Sequence, residues 1–71
     1  MTGRELLLET IKQSGLKRQY IADQLGITRA GLALKLRGVN EFRETEIQRL
    51  CEILKINKSV RDKIFFAKKV D

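Results

Sequence analysis

The chain has 71 residues, with 15 Lys and Arg against nine Asp and Glu, a net charge of +6, no histidine, no proline and one cysteine, Cys51. That length suffices for a single domain over residues 1–71 with one small core, near the lower limit for folding unaided. A lone cysteine excludes an internal disulfide and the lack of histidine removes the usual zinc ligands, so neither a metal nor a cofactor is expected.

Apolar residues recur at helical spacing, broken by glycines and polar clusters, and predict five short helices with no β-like alternation. The first spans about Thr2 to Ser14, with Leu7, Leu8 and Ile11 as its inner stripe and Gly15 as its left-handed end. The second spans about Arg18 to Leu25, turns Ile21, Ala22 and Leu25 inward, and ends at Gly26. The third starts behind Thr28, a good N-cap, and ends before Gly38. The fourth covers about Glu44 to Leu54 on the stripe Ile47, Leu50, Cys51 and Leu54, and Thr45 with Gln48 offers a capping box for a slightly later start. The fifth begins after Ser59, taken as its N-cap, and carries Val60, Ile64, Phe65 and Phe66. Residues 3–67 form the expected ordered core, followed by a short basic tail.

No apolar run approaches a membrane span, and the N-terminus lacks the apolar stretch of a secretory signal. A lone thiol fits a reducing compartment, so a cytoplasmic protein is expected. The positive charge is concentrated in the middle of the chain. Residues 17–38 hold Lys17, Arg18, Arg29, Lys35 and Arg37 against Asp23 alone, a net of +4, which marks this block as the anion-facing surface.

The segment "LGIT" leaves only about three residues between the second and third helices, so the two must cross steeply, near the roughly 90–120° of a helix-turn-helix. Gly26 suits the positive φ of that exit, Ala22 one turn earlier leaves room for the third helix, and Ile27 plugs the turn into the core. The whole stretch "RQYIADQLGITRAGLALKLR", Arg18 to Arg37, resembles the helix-turn-helix motif of the Cro/CI-type (XRE-type) phage repressors. Ile21, Leu25, Ile27 and Leu32 fall at its apolar positions, and Ala22 and Gly26 at its two most diagnostic ones. The resemblance covers roughly residues 5–67, and the segments "KLRGVNEF" and "EIQRLCEILKI" also look like small regulators of prophages and mobile elements. It implies an all-α, compact five-helix bundle of the lambda-repressor-like type. Lys35 departs from the pattern, because the family usually has an apolar or tryptophan residue there. Leu36 is expected to take over the packing, with Lys35 extending toward phosphate or solvent.

With Leu32 and Leu36 inward, about 100° per residue points Ala30, Ala33, Leu34 and Arg37 outward, with Gly31 at the edge. A helix with such a thin outer surface can sit deep in a major groove. There Ala30, Ala33 and Leu34 pack on thymine methyls, and Arg29 is the candidate for a bidentate guanine contact with Arg37 at the far end. Two other readings of this face stay open: Ala and Leu chosen only as good helix formers, and an adhesive face for a protein partner. Candidate phosphate contacts are Lys17, Arg18 and Gln19 at the start of the second helix, Thr28, Lys35, and then Asn40 and Arg43. Arg18 takes the position where the family often has a glutamine that touches phosphate and braces the recognition helix. Glu41 and Glu44 oppose DNA in the same loop.

Relatives of this type bind paired half-sites as dimers. Phe65 and Phe66 point to opposite flanks of the fifth helix, so one is expected in the core and the other at a partner, with Ile53 joining that patch; a compact monomer with two core phenylalanines is the alternative. The expected function is a sequence-specific double-stranded DNA-binding transcriptional regulator, a Cro-like homodimeric repressor that occludes promoters at a palindromic operator. Its expected setting is the nucleoid of a bacterial or phage-infected cell. The competing class is an antitoxin-like or antirepressor-like protein-interaction module. No catalytic constellation is present, no small-molecule ligand or membrane association is expected, and Cys51 on an inner stripe reads as a buried structural thiol.

Overall fold

The computed structural model describes residues 2–65, and these form five helices and no strand. They are α1 (Gly3–Ser14), α2 (Arg18–Leu25), α3 (Arg29–Leu36), α4 (Glu44–Leu54) and α5 (Lys58–Phe65). None is long and apolar enough to cross a membrane.

Local chemistry explains where most of these helices begin. The Thr2 hydroxyl accepts the Glu5 N–H at 3.1 Å and the Glu5 carboxylate accepts the Thr2 N–H at 2.8 Å, a reciprocal capping box that starts α1. That backbone donor also holds the Glu5 carboxyl below its ordinary pKa. Thr28 starts α3 by accepting the Gly31 N–H at 2.9 Å. α4 begins at Glu44 as expected, and the alternative box on Thr45 and Gln48 does not form. Instead Glu46 reaches back to the Arg43 N–H at 2.8 Å, which makes Arg43 the N-cap and brings Thr45 inside the first turn. In α5 the cap is Asn57, whose Oδ1 accepts the Val60 N–H at 2.9 Å. Ser59 is therefore a residue of the first turn, because an equally good cap precedes it.

The helix ends obey the same hydrogen-bond accounting. At Gly26, φ is 71°, the Ile27 N–H bonds to the Ala22 carbonyl at 3.0 Å, and the Gly26 N–H bonds to Asp23 at 3.2 Å. This double closure turns the chain sharply from α2 into α3. The same pattern ends α3, where Val39 and Gly38 donate to the carbonyls of Leu34 and Lys35 at 3.0 and 3.1 Å. α4 ends on Lys55 at φ 56°, a left-handed position filled without glycine.

The core draws on every helix: Leu7 and Ile11, Ile21 and Ala22, Leu32 and Leu36, Leu50 and Leu54, and Ile64. Leu8, Leu25, Ile27, Ile47, Cys51 and Val60 are half-buried at its margin. Cys51, expected to be buried, is half-buried, and that burial raises the pKa of its thiol. α1 packs most closely on α5, and α2 lies between α3 and α4. The α1–α5 approach is tight because residue 3 is glycine, and a Cβ there would collide with the Ile64 carbonyl.

Candidate nucleic-acid interface

α3 is set by its two ends and its inner edge. Leu32 and Leu36 are buried as expected, and this turns Arg29, Ala30, Leu34 and Arg37 outward as exposed residues. Ala33 is half-buried, at the edge of that face. Gly31 has a role the sequence did not reveal. A Cβ there would lie 3.2 Å from the Thr28 Oγ1 that caps its own N–H, so the small residue leaves room for the cap. Thr28 spends an oxygen lone pair on this bond, and its hydroxyl proton remains available to an anion.

Lys17, Arg18 and Gln19 are exposed at the start of α2, where Lys17 is an N-cap without a side-chain cap bond. The Gln19 amide donates to Asp23 at 2.9 Å, one turn along the same helix. Beyond α3, Asn40 and Arg43 are exposed, and so are Glu41 and Glu44 beside them.

The expected direction of Lys35 is corrected. Its ammonium turns inward to Glu46 Oε1 at 2.5 Å, with only 12% of the side chain exposed, and lies 5.9 Å from the centre of the Phe42 ring. Burial alone would push the Glu46 carboxyl up, but the bonds from Lys35 and the Arg43 N–H, with the charges of both, bring it below its usual value. A half-buried cation with a carboxylate partner so near lies lower in energy there than reaching out to solvent.

The remaining cations of the block behave differently. Among the described residues, Lys17, Arg18, Arg29 and Arg37 make no ion pair, and neither do Arg43, Arg4, Lys12, Lys55, Lys58 and Lys63 outside the block, whereas Lys35, Arg49 and Arg61 are paired with Glu46, Glu52 and Asp62. Arg4 is an unforeseen neighbour. From the first turn of α1 it donates to the carbonyl of Arg37 and so adds a further cation at the C-terminal end of α3. No short-range pattern signals a contact across that separation.

Of the expected subunit contacts, Phe65 packs edge-on against Phe42, with ring centres 5.8 Å apart and planes at 84°, so it serves its own core. Ile53 is half-buried against that core. Phe66 lies outside the described residues. Among the described residues, the exposed large apolar side chains are Tyr20, Leu34 and Val39. An open groove along α1, lined by Leu8, Ile11, Leu16, Glu5, Glu9, Lys12, Gly15 and Arg18, takes no residue from α3. Comparison with protein-family models, with curated proteins and with solved structures finds no match to this chain.

Proposed function

We propose that the chain is a sequence-specific double-stranded DNA-binding transcriptional regulator, with α2 and α3 as its helix-turn-helix and α3 as the recognition helix in a lambda-repressor-like domain. The observation that carries this reading is the run of exposed cations at the start of α2 and along α3, Lys17, Arg18, Arg29 and Arg37, which make no ion pair among the described residues. Surface cations left unpaired around one exposed helix form the electrostatic footprint of a polyanion. The sharp closure at Gly26 supports the motif, as does the resemblance of residues 18–37 to the Cro/CI-type repressors.

In this reading Arg29 and Arg37 read base edges, while Ala30, Ala33 and Leu34 allow close approach and meet thymine methyls. Lys17, Arg18, Gln19, Thr28, Asn40 and Arg43 hold the phosphates. A Cro-like protein of a prophage or mobile element would repress by occluding the promoter in the cytoplasm, as a homodimer on a palindromic operator and without catalysis.

One observation favours a second reading. Leu34 and Val39, joined by the backbone bond that ends α3, are both exposed, 36% and 62%, and form an apolar end to the same face. That suits an antitoxin-like or antirepressor-like module with a protein partner.

Selection of duplexes from a random pool at physiological salt, followed by sequencing, separates the two. A T-rich motif repeated with two-fold symmetry about ten base pairs apart is expected for the dimeric regulator. A single half-site would remove the dimer. Salt-sensitive binding with no enriched sequence would overturn the regulator in favour of the protein-partner reading.

A further inference from the structure

We infer that Lys35 and Glu46 form a positioning pair that fixes the rotation of α3 about its own axis, and with it the set of side chains offered to the bases. This inference rests on the DNA-binding reading for its consequence, though not for its geometry.

α3 is a helix of eight residues whose close helix partner is α2. Its buried side chains, Leu32 and Leu36, are one turn apart and lie nearly on a single line along the helix. Contacts along one line fix where a cylinder touches its support but restrain its rotation poorly. Lys35 lies about 60° from Leu32 and about 100° from Leu36 around the axis, so a bond from Lys35 acts off that line. Its partner is well anchored. Glu46 is 6% exposed, and the same Oε1 that accepts Lys35 accepts the Arg43 N–H, so the carboxylate is part of the start of α4. Phe42 walls the ammonium on another side and is itself braced by Phe65. A roll of a few tens of degrees would part Lys35 from Glu46 and leave a poorly solvated carboxylate behind, so the pair opposes rotation in both directions. The same roll would recentre the outer face on Leu34 alone or on Ala30 and Arg37.

A merely stabilising pair and a positioning pair differ in what a neutral replacement does. The double variant Lys35→Met/Glu46→Gln removes both charges, keeps the stem of residue 35, and leaves an amide oxygen to accept the Arg43 N–H. Its unfolding midpoint in urea is expected to stay near that of the native protein, since no charge is left uncompensated. Residual dipolar couplings of the α3 amides, measured on the free protein, are expected to show α3 rotated relative to α2 and α4. On the selected duplex, preference over a scrambled one is expected to fall on the order of ten-fold, the scale of one lost base contact, with the salt dependence of binding unchanged. Unchanged couplings would overturn the inference whatever happens on DNA. A log–log salt slope shallower by about 0.9 with preference intact would also overturn it, because Lys35 would then be holding a phosphate. If the native protein selects no duplex, the DNA-binding reading fails, and the couplings alone decide the rotation.

Discussion

The guanidinium of Arg4 donates to the carbonyl of Arg37, 33 residues along the chain, at 2.5 Å. The bond joins the first turn of α1 to the residue that closes α3, beside Gly38, where the chain takes a left-handed turn. Carbonyls at a helix C-terminus have no partner within the helix and carry partial negative charge, so a cation there satisfies an acceptor and complements the helix dipole. The end of the proposed recognition helix is thus tied to α1, while its inner edge is tied to α4 through Lys35 and Glu46.

Arg4→Met should therefore loosen the end of α3 more than the fold. An exposed bond of this kind contributes about 0.5–1 kcal/mol, which urea denaturation would read as a small shift in midpoint. Hydrogen exchange is the sharper measurement. The amides of Gly38 and Val39 should lose protection while those of α5 keep theirs. Equal loss in both places would mean that Arg4 acts on global stability only.

Gly3→Ala tests the α1–α5 approach. In an open helix the change gains about 1 kcal/mol from propensity. Here the added Cβ meets the Ile64 carbonyl, a backbone atom that can yield only by moving α5. Overpacking of this kind costs about 1–3 kcal/mol, so net destabilisation is expected from denaturation curves. A more stable variant would show that the two helices separate freely.

Glu46 gives the fold a definite acid response. Its carboxyl is held below the ordinary 4.5, so it binds fewer protons folded than unfolded near that pH. The stability it contributes is complete above 4.5 and is lost as pH falls through its lowered folded value. Glu46→Gln should be less stable than the native protein at neutral pH by about 1–3 kcal/mol, the cost of weakening charged hydrogen bonds to a half-buried lysine. The gap should begin to close as pH falls below 4.5 and vanish only beneath the lowered folded value, where the native carboxylate is protonated as well. Glu5, also lowered, titrates in both proteins and cancels in the comparison. A gap independent of pH would show that shape rather than charge at residue 46 matters.

What could be read from the sequence was local. Thr2 and Thr28 are caps whose partners lie three residues away, and Gly15, Gly26 and Gly38 take the positive φ that their positions suggest. The burial of Leu32 and Leu36 follows from periodicity alone. Errors arose where two local signals competed or where the partner was remote. Asn57 and Ser59 are comparable caps two residues apart, and nothing in their identities ranks one above the other. Lys55 adopts a left-handed conformation that usually announces itself through glycine. The sequence points Lys35 outward, because a lysine on a basic face ordinarily solvates. Its actual direction depends on Glu46, 11 residues away, whose carboxylate is fixed by its bond to the Arg43 N–H at the start of α4.

The site assignment is tested by substituting two cations that both lack a carboxylate partner but occupy different places. Arg29 stands at the exposed first turn of α3, and Lys17 is the N-cap of α2. If Arg29 meets a base edge, Arg29→Ala should cost about 1–3 kcal/mol on the selected duplex and relax the preference at one base position, leaving scrambled duplexes bound much as before. If Lys17 meets phosphate, Lys17→Ala should weaken every duplex by a similar factor and reduce the log–log salt slope by about 0.9. Titrating both variants against selected and scrambled duplexes at several salt concentrations measures all four quantities. Uniform weakening by both would remove Arg29 from the bases and, with it, the assignment of the outer face of α3 as the reading surface. Selective weakening by Lys17→Ala would place the start of α2 at a base edge instead, which requires a docking angle different from the one proposed.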